Sequence, residues 1–207
     1  MPYGYLGQNT PNQTVSNSGV FSISDVASLE KQGKLGGSLE LIEEQTASTV
    51  SVLDFTNLGN YDVHYMTFSN FQADTSTTDY VCGRLSNNGG TSFISTANHQ
   101  RGFFRINTSG TTADINGTTF TEFNSFFSID SDYPSSQGYA YFYNLLDSSK
   151  YSFVTFHTFN SAGYYIYFGG YVLPVAETHN AIRIFTLTNN MQTGTAKLYG
   201  VKQLWVL

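Results

Sequence analysis

The chain has 207 residues and a mass of 22.9 kDa, with 9 Lys and Arg against 15 Asp and Glu and a formal net charge of −6. Charged residues make up only 12% of the sequence, while aromatics reach 16%, with 15 Tyr and 17 Phe; soluble domains ordinarily carry roughly 25% charged residues. The length allows one large β domain or one domain with an arm, and the absence of a Lys/Arg-rich run that could neutralise a row of phosphates excludes nucleic acid as the expected partner.

The N-terminus MPYGYLGQ has neither the basic start nor the apolar run of an export signal. No stretch approaches the ~20 apolar residues of a membrane span, so synthesis in a cytoplasm without membrane insertion is expected. GYLGQNTPNQTVSNSGVFSISD, residues 4–25, is uncharged until Asp25 and rich in Asn, Gln, Ser, Thr and Gly. At its end Ser22 can cap a helix with Asp25 three residues on, and Phe21 can staple onto Val26. Leu29 follows one turn later and Gly33 supplies a stop. The spacing predicts one short helix over about 23–32, too short to stand alone in water. Residues 1–46 therefore read as an anchoring arm with Tyr3, Tyr5, Leu6, Phe21, Val26 and Leu29 as its apolar contacts, and 47–207 as the domain it serves.

From GGSLELIEEQT onward the chain reads as strands. Leu39 and Leu41 alternate with Glu40, and Val50, Val52 and Phe55 mark a second run. Further runs fall at 61–71, 79–85, 101–106, 118–129, 138–146, 150–159, 163–173, 181–187 and 194–207. SNNGGTS, NTSGTTADING and SDYPSSQG carry turn chemistry, since Gly and Asn accept positive φ and Asp or Ser bond the turn backbone. About ten short strands at this spacing predict an all-β antiparallel sandwich or jelly roll.

Several of these strands are apolar on both faces. In YSFVTFHTF, Tyr151, Phe153 and His157 share one face and Val154 and Phe156 the other; in YDVHYMTF, Val63 and Tyr65 oppose Met66 and Phe68. An ordinary antiparallel sandwich leaves one face wet, so the second face is expected to be covered by other subunits or to serve as an aromatic binding surface. Tyr139, Tyr141, Tyr143 and Tyr164 are the candidate surface-contact aromatics, against the plainer reading that period-two aromatics pack a sheet.

Catalytic signatures are missing: there is no Gly-x-Ser-x-Gly, P-loop, Gly-x-Gly-x-x-Gly or His-Glu-x-x-His. The expectation is no enzyme, no catalytic residues and no cofactor. His64, His99, His157 and His179 are scattered without metal-ligand spacing, so no metal site is expected. His64 and His157 lie mid-strand and are expected to be structural, neutral imidazoles packed in the fold. Glu40, Glu43 and Glu44 read as a solvated strand edge that discourages strand addition, and Asp130-Ser131-Asp132 as a turn, lacking the downstream Gly and Glu of a calcium loop. Cys82, the lone cysteine, sits in the apolar run DYVCGRL and reads as a buried thiol.

The run YLGQNTPNQTVSNSGVFSISDVASLEKQGKLGGSLELIEEQTAS, then VSVLDFTNLGNYDVHYMTF, and the close AIRIFTLTNNMQTGTAKLYGVK resemble virion structural proteins of tailed bacteriophages, especially marine ones infecting cyanobacteria. The resemblance covers nearly the whole chain, and its most specific pieces are GVFSISDV, SLELIEEQT and the terminal G-T-x-x-L-Y-G-V. The ending QLWVL, with Leu204, Trp205, Val206 and Leu207, extends beyond it as a packing tail. The resemblance implies a particle-bound arm ahead of a jelly-roll-like domain, no enzymatic activity, virion localisation and other virion proteins as partners. It also suggests a homotrimer but does not fix the place on the particle, a tail-fibre or appendage tip or a head-surface (capsid) decoration; the aromatic, Asn/Ser/Thr-rich composition suits a tail position in contact with a host surface glycan. The alternative from a different class is a free lectin-like carbohydrate-binding module.

Overall fold

The computed structural model describes residues 23–24, 26–27, 38–133 and 135–202. Ile23, Ser24, Val26 and Ala27 are helical, within the helix expected over 23–32. Of the expected arm contacts, Val26 is described and exposed; Tyr3, Tyr5, Leu6, Phe21 and Leu29 lie outside the described residues, as does the ending 203–207. The chain divides into two compact units, Met1–Glu40 and Leu41–Leu207. The first strand runs through residue 46, where the sequence placed the end of the arm.

Among the described residues there are twelve strands, where about ten were expected. In chain order they are β1 (Leu39–Val50), β2 (Val52–Phe55), β3 (Val63–Ala73), β4 (Asp79–Ser86), β5 (His99–Asn107) and β6 (Thr112–Phe120). Then come β7 (Phe123–Ile129), β8 (Ser136–Tyr143), β9 (Tyr151–Asn160), β10 (Tyr165–Ala176), β11 (Ala181–Thr186) and β12 (Met191–Val201). One strand, β6, occupies what the sequence presented as the NTSGTTADING loop and the start of the 118–129 run. Its residues TADINGTTF carry one large aliphatic side chain, Ile115, and a half-buried to exposed pattern, so hydrophobic periodicity is too weak to show it. Pairing with β5, from Ile106 opposite Thr112 to His99 opposite Phe120, is what makes it a strand. The connecting turn is set by Asn107, whose side-chain oxygen accepts from the backbone N–H of Ser109 and Thr111.

The strands form two antiparallel sheets packed as a sandwich: eight strands in the order β1-β12-β3-β8-β9-β10-β5-β6, and four in the order β2-β11-β4-β7. Setting aside the β5–β6 and β9–β10 hairpins leaves β1-β12-β3-β8 facing β2-β11-β4-β7. In this reduced set successive strands alternate between the sheets except at β4 and β7, which pair side by side in the small sheet, as in a jelly roll. Both hairpins add to the large sheet, which therefore extends past β7, the edge strand of the small one.

Phenylalanine fills the space between the sheets. Phe55, Phe68, Phe71, Phe123, Phe126, Phe127 and Phe142 are fully buried. Phe126 of β7 lies with its ring centroid 5.8 Å from Phe68, 5.6 Å from Phe156 and 5.3 Å from Tyr171, within the range of favourable ring pairs. Cys82 is buried beside it, its thiol pushed up to about 12 by burial, which makes it an inert core side chain.

Close backbone approach also shapes the large sheet. A Cβ added at Gly169 would lie 2.4 Å from Phe103 Cα and 2.5 Å from the Gly102 carbonyl oxygen, whereas one at Gly102 would meet nothing within 4 Å. Gly169→Ala is expected to destabilise the fold by about 1–3 kcal/mol and Gly102→Ala to leave it within about 0.5 kcal/mol of wild type, as read from urea unfolding midpoints.

Candidate functional site

The outer face of the large sheet carries the aromatic side chains that its inner face does not need. On β3, His64, Met66 and Phe68 point inward and are buried, leaving Val63, Tyr65 and Thr67 outside. On β8, Ala140 and Phe142 are buried and Tyr139, Tyr141 and Tyr143 face outward. On β9, Ser152, Val154, Phe156 and Thr158 are buried, so Tyr151, Phe153, Thr155, His157 and Phe159 line the outside, the two-faced pattern read from the sequence.

Strand register sets these side chains in rows. Tyr199 of β12 stands opposite Tyr65, which stands opposite Tyr141. In the next row Tyr139 pairs with His157, His157 with Phe168 of β10, and Phe168 with Phe104 of β5. The rings touch along the way: Tyr65 lies 6.0 Å from Tyr199, 4.7 Å from Tyr141 and 5.8 Å from Tyr139. Tyr139 lies 5.9 Å from His157, which lies 6.3 Å from Phe168, and Phe168 lies 5.3 Å from Phe104. A connected set of rings thus crosses six strands. Between the row ending in Phe104 and the one carrying Phe153 and Val172, Thr155 stands opposite Gly170 and Gly170 opposite Gly102, so a shallow trough runs beside the rings.

This surface is open yet nearly free of charge. Tyr139 is 37% exposed and Phe159 and Phe168 are each 47% exposed. The outward positions of β3, β8, β9 and β10 hold no Asp, Glu, Lys or Arg. Charge returns at the margins, in Lys197 of β12, paired with Glu44 of β1 at 3.0 Å, and in exposed Asp114 of β6. The Tyr65 hydroxyl ionises above its ordinary value, chiefly through burial among the rings and then through Tyr141, Tyr139 and Tyr199.

Three of the four surface aromatics singled out in the sequence therefore lie on this face. Tyr164 does not join them; it sits in the turn before β10, 60% exposed, against Tyr133 at 6.0 Å. Tyr65, Tyr199, Phe104 and Phe168 belong to the face and were not singled out. Alternation with buried neighbours was the available signal, as at Tyr65 between His64 and Met66, but register alone brings them together.

The histidines divide. His64, His99 and His179 are fully buried, and burial lowers all three pKa values. His64 Nε2 bonds the Leu58 carbonyl at 2.8 Å and His99 Nδ1 the Thr96 carbonyl at 3.2 Å. His157, expected inside the fold, instead lies on the outer face, because its position in β9 alternates with buried Phe156 and Thr158. His179 Nδ1 contacts Ser152 Oγ at 2.7 Å, and Nε2 lies 3.3 Å from Glu177 Oε1 without hydrogen-bond alignment. This serine–histidine–carboxylate chain is no nucleophilic site, since Ser152 is fully buried and a catalytic serine must reach its substrate.

Several carboxylates are engaged structurally. Asp54 takes both Nε and Nη2 of Arg183 at 2.7 Å. For Glu122, burial alone would raise the pKa, but hydrogen bonds from Thr121, Asn124 and Arg84 outweigh it and hold the carboxyl below its usual value. Asp130 accepts from Thr78 Oγ1 and from the Asp132 N–H, each at 2.9 Å, which makes its segment a turn. Among the described residues no three His, Cys, Asp or Glu side chains gather as metal ligands, and no helix is long and apolar enough to cross a membrane. No protein-family model, curated protein or solved structure matches the chain.

The buried histidines give stability a defined pH dependence. Above about pH 6.5 the imidazoles are neutral in folded and unfolded chains alike. Below it the unfolded chain takes up protons that the folded chain, with its lowered histidine pKa values, binds less readily. The urea midpoint is expected to stay level from pH 8 to 7 and fall from pH 6.5 toward pH 5, with a shallower fall in His64→Gln. A level midpoint down to pH 5 would contradict this.

Proposed function

We propose that the chain is a non-enzymatic structural protein of a bacteriophage virion, in which copies of the β domain associate as a trimer through the outer face of the large sheet. Residues 1–46 anchor this assembly to other virion proteins. The observation that carries the reading is the connected, charge-free aromatic surface across β3, β8, β9 and β10. Tyrosine and phenylalanine at the centre with charge at the margin is the anatomy of a protein–protein interface, and a patch of this kind left in water favours association.

A copy of the same chain is the partner this chemistry favours. An uncharged surface offers no electrostatic means of choosing a different partner, whereas cyclic symmetry lets one patch of each subunit meet another patch of the next. The number three rests on the sequence resemblance to phage proteins. So does the anchoring arm, whose composition suits wrapping along a neighbour through backbone and amide hydrogen bonds. A tail-fibre or appendage tip suits a protein that also contacts host glycan; a head-surface decoration is the other placement. A lectin-like module acting alone is the second reading, supported by exposed rings such as Tyr139 and Phe168 beside a glycine-floored trough, where sugar rings could stack.

Sedimentation equilibrium separates these readings. At micromolar concentration the full chain is expected at three times its 22.9 kDa mass. Phe168→Asp, which places charge among the rings, is expected to weaken association by about 30-fold or more, as for an interface hot spot. A wild-type monomer would contradict the assembly and favour the lectin-like reading.

Virion placement has its own test. Mass spectrometry of separated heads and tails is expected to find the protein in purified particles, and absence from them would overturn the reading. Deleting residues 1–36 is expected to leave a folded β domain that no longer incorporates; normal incorporation would remove the arm from the account.

A further inference from the structure

The overhang of the large sheet beyond β7 shelters a second feature, on the opposite side from the aromatic face. There a pocket of about 270 Å³ opens between β5, β6 and β10 on one side and β4 and β7 on the other. Arg101 and Arg105 of β5 both line it, as the alternation of a strand dictates for residues four apart. No carboxylate lines it with them.

That absence separates this pair from the chain's other arginines. Of its four arginines, Arg183 is paired with Asp54 at 2.7 Å and Arg84 with Glu122 at 3.2 Å. Among the described residues Arg101 and Arg105 have no such ion pair. In a chain with only 9 Lys and Arg, two guanidinium groups in one acid-free pocket concentrate positive charge where neither is needed to hold the fold's own acids.

The pocket is also built rather than incidental. Arg101 stacks over the Phe120 ring at 3.9 Å, and its Nη1 donates to Asn124 Oδ1 at 2.6 Å. The Nε edge remains, buried and without a hydrogen-bond partner, and a buried donor left unmet costs stability unless something accepts from it. Asn124 reaches this place through an irregularity in β7. Between Val81–Phe127 and Gly83–Phe123 the register shifts, so that Asn124, Ser125 and Phe126 oppose Cys82 alone. Ser125 takes a φ of 73° there, a left-handed conformation that disfavours side-chain-bearing residues by roughly 1–2 kcal/mol. Such bulges re-aim side chains beside functional sites, and this one turns Asn124 and Ser125 onto the pocket.

The remaining wall is aromatic and hydroxylated. Tyr80, Phe103 and Tyr167 line it. Burial raises the Tyr167 pKa, and the guanidinium of Arg105 beside the hydroxyl acts in the opposite direction, which places Arg105 at the same wall.

We propose that this pocket binds a carboxylate-bearing sugar, a uronic or related acidic monosaccharide unit of a surface polysaccharide. The planar fork of arginine matches a carboxylate, the exposed ring of Tyr80 offers a surface to the apolar side of a pyranose, and Asn124 and Ser125 offer polar groups to its hydroxyls. A bare phosphate would meet the arginines but leave the aromatic walls unused. The site gives a chemical identity to the glycan contact proposed above and does not depend on the trimer or the virion placement.

Isothermal titration of the full chain with glucuronate, glucose and inorganic phosphate tests it. Glucuronate is expected to bind at least ten times more tightly than glucose or phosphate, and Arg105→Gln to weaken that binding about 10- to 100-fold with the fold intact by circular dichroism. Arg101→Gln should weaken it likewise, but this variant also loses the bonds to Asn124, so Arg105→Gln is the decisive one. Glucuronate binding no better than glucose, or unchanged in Arg105→Gln, would overturn the proposal; phosphate binding as tight as glucuronate would overturn the sugar assignment. None of these results bears on sedimentation mass or particle incorporation, so the pocket and the assembly can fail separately.

Discussion

The packing of phenylalanine between two sheets of unequal width governs the rest of this molecule. Phe126, rising from a bulged edge strand, touches Phe68, Phe156 and Tyr171 of the large sheet, while Phe127 reaches Phe68 at 5.2 Å and Phe71 at 5.4 Å. These contacts fix which residue of each central strand faces inward. Since alternation is strict in a strand, they also fix which residue faces outward. Tyr65, Tyr139, His157 and Phe168 are therefore on the surface as a consequence of where Met66, Ala140, Phe156 and Tyr167 must be.

Their chemistry is another matter. The core is already closed by inward phenylalanine, and the outer rings add only cross-strand pair contacts of about 0.2–1 kcal/mol each, where Thr or Lys would keep the strands and repel unwanted partners. Surplus aromatic surface is what an assembling protein carries. Unequal sheet width has a separate effect at the other end: β7 is the last strand of the small sheet, while the large sheet continues through β10, β5 and β6, and along β5 the inward positions hold arginine and phenylalanine in alternation with outward residues, as in RGFFR. Alternation over the core and unequal sheet width thus give two surfaces of different character, one uncharged and broad, one lined by two arginines.

Much of this was written plainly in the chain. Runs such as YSFVTFHTF announce both a strand and its two apolar faces, because period-two alternation needs no knowledge of neighbours. DYVCGRL reads as buried strand, and Cys82 is buried. What local sequence does not contain is pairing. Thr112–Phe120 is a strand because β5 offers it an edge, and Tyr199 joins Tyr65 across more than a hundred residues. His157 illustrates the same limit: a mid-strand histidine among aromatics can face either way, and only the sheet's layering puts it outside. The pocket was hidden for a related reason. Arg101 and Arg105 share a face in any strand, but an acid-free enclosure exists only because the small sheet stops at β7.

The central claim is that copies of this chain cover the aromatic face. Hydroxyl-radical footprinting of the full chain, compared at micromolar and strongly diluted concentrations, tests it residue by residue. The account predicts that Tyr139, Phe159 and Phe168 are protected at the higher concentration and become reactive on dilution, while Tyr133 and Tyr164, exposed but off the face, react equally in both. Equal reactivity of Tyr139 and Phe168 at the two concentrations, at the level of Tyr164, would contradict it.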